Sequence, residues 1–281
     1  MNYDGPILDD HLHLDPERGR GLDAVCDFAR AGGTHLMIVN QPSWKLGVEV
    51  EEGEDFREVF ETTIEIAESS TCELPGRAWP VLGVHPALIS RLVDDRDFSV
   101  EEIRDLMQAG LEVAAEYAAD GPAIALKSGR PHYSVDDDVW DASNAVMRRA
   151  FELGAETGVA VQLHAEAGED FTEVAEMAEE VGMPADRVVK HYAEGHVEGV
   201  VPSVKSEPDR LERAADGDEP FMMETDYLDD PDRPGAVLGP KTVPRRVEWM
   251  LEEGYEAAVR VAHVETPEAV YGVEMEESLD R

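Results

Sequence analysis

The chain has 281 residues, 63 of them acidic and 24 basic, for a formal net charge of −39. That length suits one large domain, residues 1–281, because α/β barrels reach roughly 250 residues without splitting. The charge argues against a broad basic face for gripping nucleic acid.

The acids run through nearly every predicted helix, densest from Glu49 to Asp55, and form no acidic tail. This distribution fits a surface adapted to very high salt better than a module for basic partners. At 1 M salt the Debye length shrinks to about 3 Å, which screens the self-repulsion of such a chain. A cytoplasmic protein of an extreme halophile is the expectation. Cys26 and Cys72 are too few for a disulfide framework and read as small buried residues. The start, MNYDGPILDD, lacks the basic and apolar regions of a signal peptide, and no run approaches the length of a membrane span.

In chain order, strand-like apolar runs begin near Ile7, His35, Trp79, Ala123, Ala160, Arg187, Gly199 and Phe221. Helical periodicity occupies Gly21 to Ala31, Asp55 to Ser70, Ser99 to Ala119, Val139 to Thr157, Glu169 to Val181 and Pro208 to Ala215. After the eighth strand, Pro244 to Glu253 and Thr266 to Tyr271 would close the ring. The alternation predicts an α/β fold, a (β/α)8 TIM barrel, with an open doubly wound sheet as the competing arrangement. Pro202 makes the seventh strand the weakest of the eight. The longest loops, Pro42 to Glu54, Gly129 to Asp138 and Leu228 to Val243, would all rim the face where barrel strands end. Lys241, Arg245 and Arg246 fall in or just after the last loop, either as salt-bridge partners or as an anion-binding rim.

Several strand-like runs end on metal-ligand types: His11 and His13, Lys127, His164, His191 and Asp226. Residues at the carboxyl ends of barrel strands converge, so positions far apart in the chain become neighbours. His11 and His13 are two apart on one strand and point the same way, so one ion can take both. Imidazole suits zinc and related ions, and carboxylate suits them as well as manganese or magnesium. Glu224, two before Asp226, would orient a ligand or fill the barrel. His85, Arg130 and His132 are candidate substrate contacts, with structural or surface roles as the alternative. His35, His196 and His263 read as structural or exposed, and Lys190 and Lys205 fit no role.

The stretches DDHLHL (Asp9 to Leu14), LGVHP (Leu82 to Pro86), KSGRPHY (Lys127 to Tyr133), LHAE (Leu163 to Glu166), KHYAEG (Lys190 to Gly195) and METDY (Met223 to Tyr227) together resemble the TatD-related metal-dependent hydrolases, amidohydrolase-like TIM barrels. The nearest resemblance is to an archaeal branch of predicted hydrolases. It implies that His11, His13 and Asp226 hold one divalent ion and that His164 and His191 hold a second. Zinc is the first expectation, manganese or magnesium the alternatives. In the TatD pattern a Glu on the fourth strand bridges the two ions; here that place is Lys127. Other amidohydrolase-like barrels carry a carboxylated Lys on this strand, so a carbamate on Lys127 is one reading and a structural or single-metal role the other. The implied activity is hydrolysis by a metal-activated water, with Asp226 as the catalytic proton acceptor. The implied substrates are phosphodiesters, including nucleic-acid ends, or related phosphoesters. An amidohydrolase or lactonase acting on a small molecule and a non-catalytic metal-binding relative remain alternatives. No stable protein partner or membrane partner is expected, and the oligomeric state stays open.

Overall fold

In the computed structural model, residues 3–95, 98–217, 219–233, 235, 237–276 and 279 are described. Parallel strands follow one another around a ring: β1 (Leu8–His13), β2 (His35–Val39), β3 (Ala78–Gly83), β4 (Ala125–Gly129), β5 (Ala160–His164), β6 (Val188–Ala193), β7 (Val201–Lys205), β8 (Met222–Glu224) and β9 (Tyr227–Leu228). From β1 to β8 each pairs with the next, and β9 returns to pair with β1, Leu12 against Tyr227 and His13 against Leu228. The eighth barrel strand is therefore interrupted. Its first half, β8, pairs with β7, and its second half, β9, pairs with β1.

Two features explain the interruption. Asp226 has φ 50°, a left-handed turn that costs energy for a residue with a Cβ. Buried Asp9 holds that turn: its carboxylate accepts from Thr225 N at 2.9 Å and from Thr225 Oγ1 at 2.7 Å. Asp226 N also donates to the His11 carbonyl at 2.9 Å. The seam of the barrel is thus made by the residues that bracket the candidate site.

The predicted strands all form. Pro202 sits inside β7 and pairs in register with Lys190. Pro80 occupies a similar place in β3, opposite Ile38. The helix at Val100–Asp120 starts where Ser99 Oγ accepts from Glu102 N and the Glu102 carboxylate returns to Ser99 N, a reciprocal cap. The helix at Asp137–Thr157 stops at Gly158, whose φ of 74° suits a residue without Cβ. A helix at Ala87–Asp95 was absent from the sequence expectation. Among the described residues, no helix intervenes between β6 and β7, so one of the eight units lacks its helix.

Side chains alternate between two environments. Leu8, Met37, Val81, Ala125, Ala160, Val189, Val201 and Met222 fill the lower barrel interior, and Tyr271 and Met275 from the C-terminal segment cap it from below. The opposite faces of the strands pack on the helices, as Leu126, Val161, Val188 and Val204 do. Above the apolar layer the interior becomes polar, and the candidate site begins there. The expectation for the cysteines needs correction. Cys26, within the helix Leu22–Arg30, is half-buried, and Cys72, just past the end of the helix Phe56–Thr71, is exposed. His35 and His263 are both fully buried, whereas His196 is exposed. The loop from Leu228 to Val243 lies partly outside the described residues. Within it and the helix that follows, Lys241 pairs with Asp27 at 3.0 Å and Arg246 donates to the Ser206 carbonyl at 3.2 Å, as salt-bridge and backbone partners. Among the described residues, no helix is long and apolar enough to cross a membrane.

Candidate metal centre

The register of β1 against β2 shifts between Asp9 and Leu12. This irregularity lets both Asp10 and His11 reach interior partners, while Leu12 joins the apolar layer under the helices. His11 and His13 then stand side by side at the mouth, with ring centroids 5.1 Å apart. His13 Nδ1 donates to the Val39 carbonyl at 2.9 Å, which leaves Nε2 with its lone pair facing Asp226, 4.0 Å from Oδ1. The left-handed turn at Asp226 returns that carboxylate over β1.

On the opposite side, His191 of β6 stacks on His11 with centroids 3.9 Å apart. His191 Nδ1 faces Glu224 Oε1 at 3.3 Å, and its Nε2 lies 2.9 Å from His164 Nδ1 at the end of β5. Gly129 closes β4 at φ 145°, where a Cβ would collide with the His164 carbonyl, so β4 and β5 approach closely at this point. Lys127, on β4, projects into the middle: its Nζ is 3.2 Å from His11 Nε2. Ligand atoms of His11, His13 and Asp226 lie within 4.8 Å of one another, as do those of His11, His191 and Glu224.

Burial sets the protonation of this cluster. Desolvation, reinforced by the Lys127 charge, holds His13 down to about 4 and His85 to about 3. Burial likewise holds His11, His164 and His191 well below the ordinary histidine value. All five imidazoles are neutral at pH 7, the state that ligates an ion. Burial also drives Lys127 down to about 7, with Asp226 and Glu224 pulling the other way. Asp226 is raised to about 6 by burial, opposed by Lys127, and Glu224 is raised well above the usual carboxyl range. Glu224 Oε1 accepts from Tyr192 N at 2.8 Å, but Oε2 is buried without a hydrogen-bond partner. That unpaired oxygen, with the ring nitrogens of His11 and His191 close by, makes a candidate donor set for a cation.

The other expected residues divide. His85 is in the site, its ring 4.8 Å from His164, with Nδ1 accepting from Ala87 N. His132 reaches in from the loop after β4, with Nδ1 2.9 Å from His164 Nε2. Arg130 does not face the mouth as a free cation. Its guanidinium pairs with Glu166, donates to Asn144 Oδ1 at 3.1 Å and lies over Trp140. Lys190 donates to the His191 carbonyl, and Lys205 donates to Tyr192 Oη at 2.9 Å. Tyr192 has φ 60°, a second left-handed residue at the rim. Sequence reasoning missed Gln162, Asp10 and Tyr271 beneath His11. Gln162 alone carried a readable signal, its position two before His164 on one strand face.

Comparison with known proteins places this geometry in context. The family described as TatD related DNase matches residues 8–271. The uncharacterized protein MJ1127 of Methanocaldococcus jannaschii is 34% identical over 286 residues, covering 96% of this chain and 97% of its own. Among solved structures, the TatD homolog YJJV of Escherichia coli superposes with a TM-score of 0.64 at 17% identity, over 95% of this chain and 98% of that one. The lactonase Lmo2620 of Listeria monocytogenes gives 0.61 at 16% identity, over 95% and 94%. The organophosphorus hydrolase of Deinococcus radiodurans gives 0.56 at 16% identity, over 95% and 92%. At such identities the structural likeness speaks to the barrel fold alone.

Proposed function

Because the chain belongs to the TatD-related DNase family, we propose that the mouth of its barrel is a binuclear hydrolytic centre acting on phosphodiester or phosphoester bonds. The observation that carries this reading is the convergence of neutral His11, His13, His164 and His191 with Asp226 around Lys127. His11, His13 and Asp226 would hold one divalent ion, and His164 with His191 the second. Zinc is the first choice for an imidazole-rich donor set. When bound, such ions supply Lewis-acid polarisation and lower the pKa of a water toward neutrality.

Lys127 takes the bridging place if it is carboxylated. Its neutral amine adds carbon dioxide, forming an N–C bond and releasing one proton, and the product is a carbamate with two oxygens. Burial favours this by lowering the amine to about 7, so that a substantial share of it is neutral near pH 7. Asp226, ionised above about 6, accepts the proton lost by the attacking water and returns it to the leaving group. Glu224 holds the His191 ring through Nδ1. His85 and His132, beside His164, are the groups placed to meet substrate.

A second reading, hydrolysis of a small lactone, amide or phosphoester, has specific support. The net charge of −39 repels a polyanion in dilute salt, and Arg130 is committed to Glu166. The deciding experiment is elemental analysis after purification in high salt with bicarbonate and trace divalent metal. Turnover of a 3′-ended oligonucleotide is then compared with that of small esters and lactones. About two ions per chain with phosphodiester turnover supports the first reading. One ion or none makes Lys127 a plain ammonium and leaves a mononuclear enzyme or a non-catalytic metal binder. Turnover of esters or lactones alone selects the second reading.

A further inference from the structure

Below the ligand atoms a polar chain crosses the barrel interior just above its apolar layer. Gln162 is fully buried, and its Nε2 donates to the Asp10 carbonyl at 3.0 Å and to Tyr271 Oη at 2.8 Å. Tyr271 comes from the helix Thr266–Tyr271, which closes the bottom of the barrel, and its hydroxyl donates onward to Asp10 Oδ1 at 2.8 Å. A backbone carbonyl only accepts, so the Asp10 carbonyl fixes which end of the Gln162 amide carries hydrogens. The remaining end, Oε1, lies 2.8 Å from His11 Nδ1 and only accepts as well. His11 Nδ1 must therefore bear the proton. Its Nε2 is left with the lone pair, aimed at the Lys127 amine.

We propose that Gln162, clamped by Tyr271 from the C-terminal helix, is the positioning residue that fixes His11 in its Nδ1–H tautomer and thereby sets the affinity of the barrel mouth for a divalent ion. This rests on the metal-centre reading above. A purely space-filling role would be served better by an apolar side chain of the same length, since the flanking interior residues Ala160, Val189 and Met222 are apolar. The tyrosine hydroxyl also makes the floor of the barrel part of the ligand's support, which links the helix Thr266–Tyr271 to the first strand.

Gln162→Met keeps the length and removes both hydrogen-bonding ends, and Tyr271→Phe removes the clamp alone. In the chelator-treated full chain, 15N–1H correlation of the histidine rings reads the tautomer directly, with His11 assigned from its absence in His11→Asn. The expected result is a pure Nδ1–H tautomer in the parent and its loss in Gln162→Met. Zinc affinity by direct titration falls about 10-fold or more in that variant, with a smaller loss in Tyr271→Phe. An unchanged tautomer together with zinc affinity within twofold of the parent in both variants overturns the proposal. If Gln162→Met does not fold, Tyr271→Phe decides by the same two readings. If the parent itself takes up no zinc, the metal-centre reading fails, and the tautomer still tests whether Gln162 governs His11.

Discussion

At the level of single residues, the site depends on charges that are controlled by burial. Asp226 is the clearest case: its side chain is 20% exposed, lies 4.0 Å from His13 and is raised by burial to about 6, so it is ionised at pH 7 yet basic enough to take a proton. Asp226→Asn preserves the shape and the left-handed preference, since Asn tolerates positive φ, but removes the proton acceptor. Turnover is expected to fall at least about 100-fold, the scale of a lost general base, while the melting temperature stays within a few degrees. Full activity in that variant would remove Asp226 from the proposed chemistry. The placement of the six residues near one another was legible because strand periodicity is local and the convergence of strand ends is general to barrels. Two contacts were not legible. The pairing of Arg130 with Glu166, 36 residues on, left no trace in the sequence pattern, which offered Arg130 either as a substrate contact or as loop surface. The tautomer of His11 depends on Gln162 and Tyr271, which are distant in sequence and supply no motif.

At the level of elements, the strands were readable and the seam was not. Eight apolar runs predicted eight strand positions, but the break between β8 and β9 depends on Asp9 bonding Thr225 across 216 positions. A second long-range tie sits at the bottom of the barrel. The segment Val261–Glu265 winds as a π-helix, and His263 within it accepts a hydrogen bond from Leu8 N at 3.1 Å, which docks the C-terminal helices on the start of β1. Burial lowers His263 to about 3, from an ordinary value of 6.5. Below pH 6.5 the unfolded chain therefore binds a proton that the folded chain refuses, and stability falls with pH until about 3. His263→Ala is expected to cost about 2 kcal/mol at pH 7.5, through the orphaned Leu8 N–H and the cavity left behind. At pH 4.5 the parent has itself lost about 3 kcal/mol on this account, from roughly 1.4 kcal/mol per pH unit. The deficit of the variant should vanish there and reverse by about 1 kcal/mol. Urea unfolding at the two pH values measures it, and a deficit independent of pH would mean that His263 is not held neutral.

For the whole molecule, the dominant fact is a charge of −39 over 281 residues. Many basic side chains are already committed to acidic partners, as in Arg57 with Glu54 and Glu116 or Arg149 with Glu112 and Glu152. Exposed pairs of this kind contribute at most about 1 kcal/mol each, and 24 basic residues cannot neutralise 63 acids. The excess repels itself across the surface in dilute buffer, and the compact state bears that cost more than the expanded one. Added salt has two separable effects. Screening depends on ionic strength alone and is largely complete once the Debye length reaches about 3 Å near 1 M. Exclusion of salt from apolar surface depends on the anion and continues to grow with concentration. If self-repulsion limits this fold, the melting temperature should climb steeply between 0.1 and 1 M and do so equally in potassium chloride and potassium thiocyanate over the lower part of that range. The two salts should diverge only above it. A melting temperature that is flat in chloride, or that separates by anion from the lowest concentrations, would show that the acidic surface is not a burden on folding. The proposed adaptation to molar salt would then lose its physical basis.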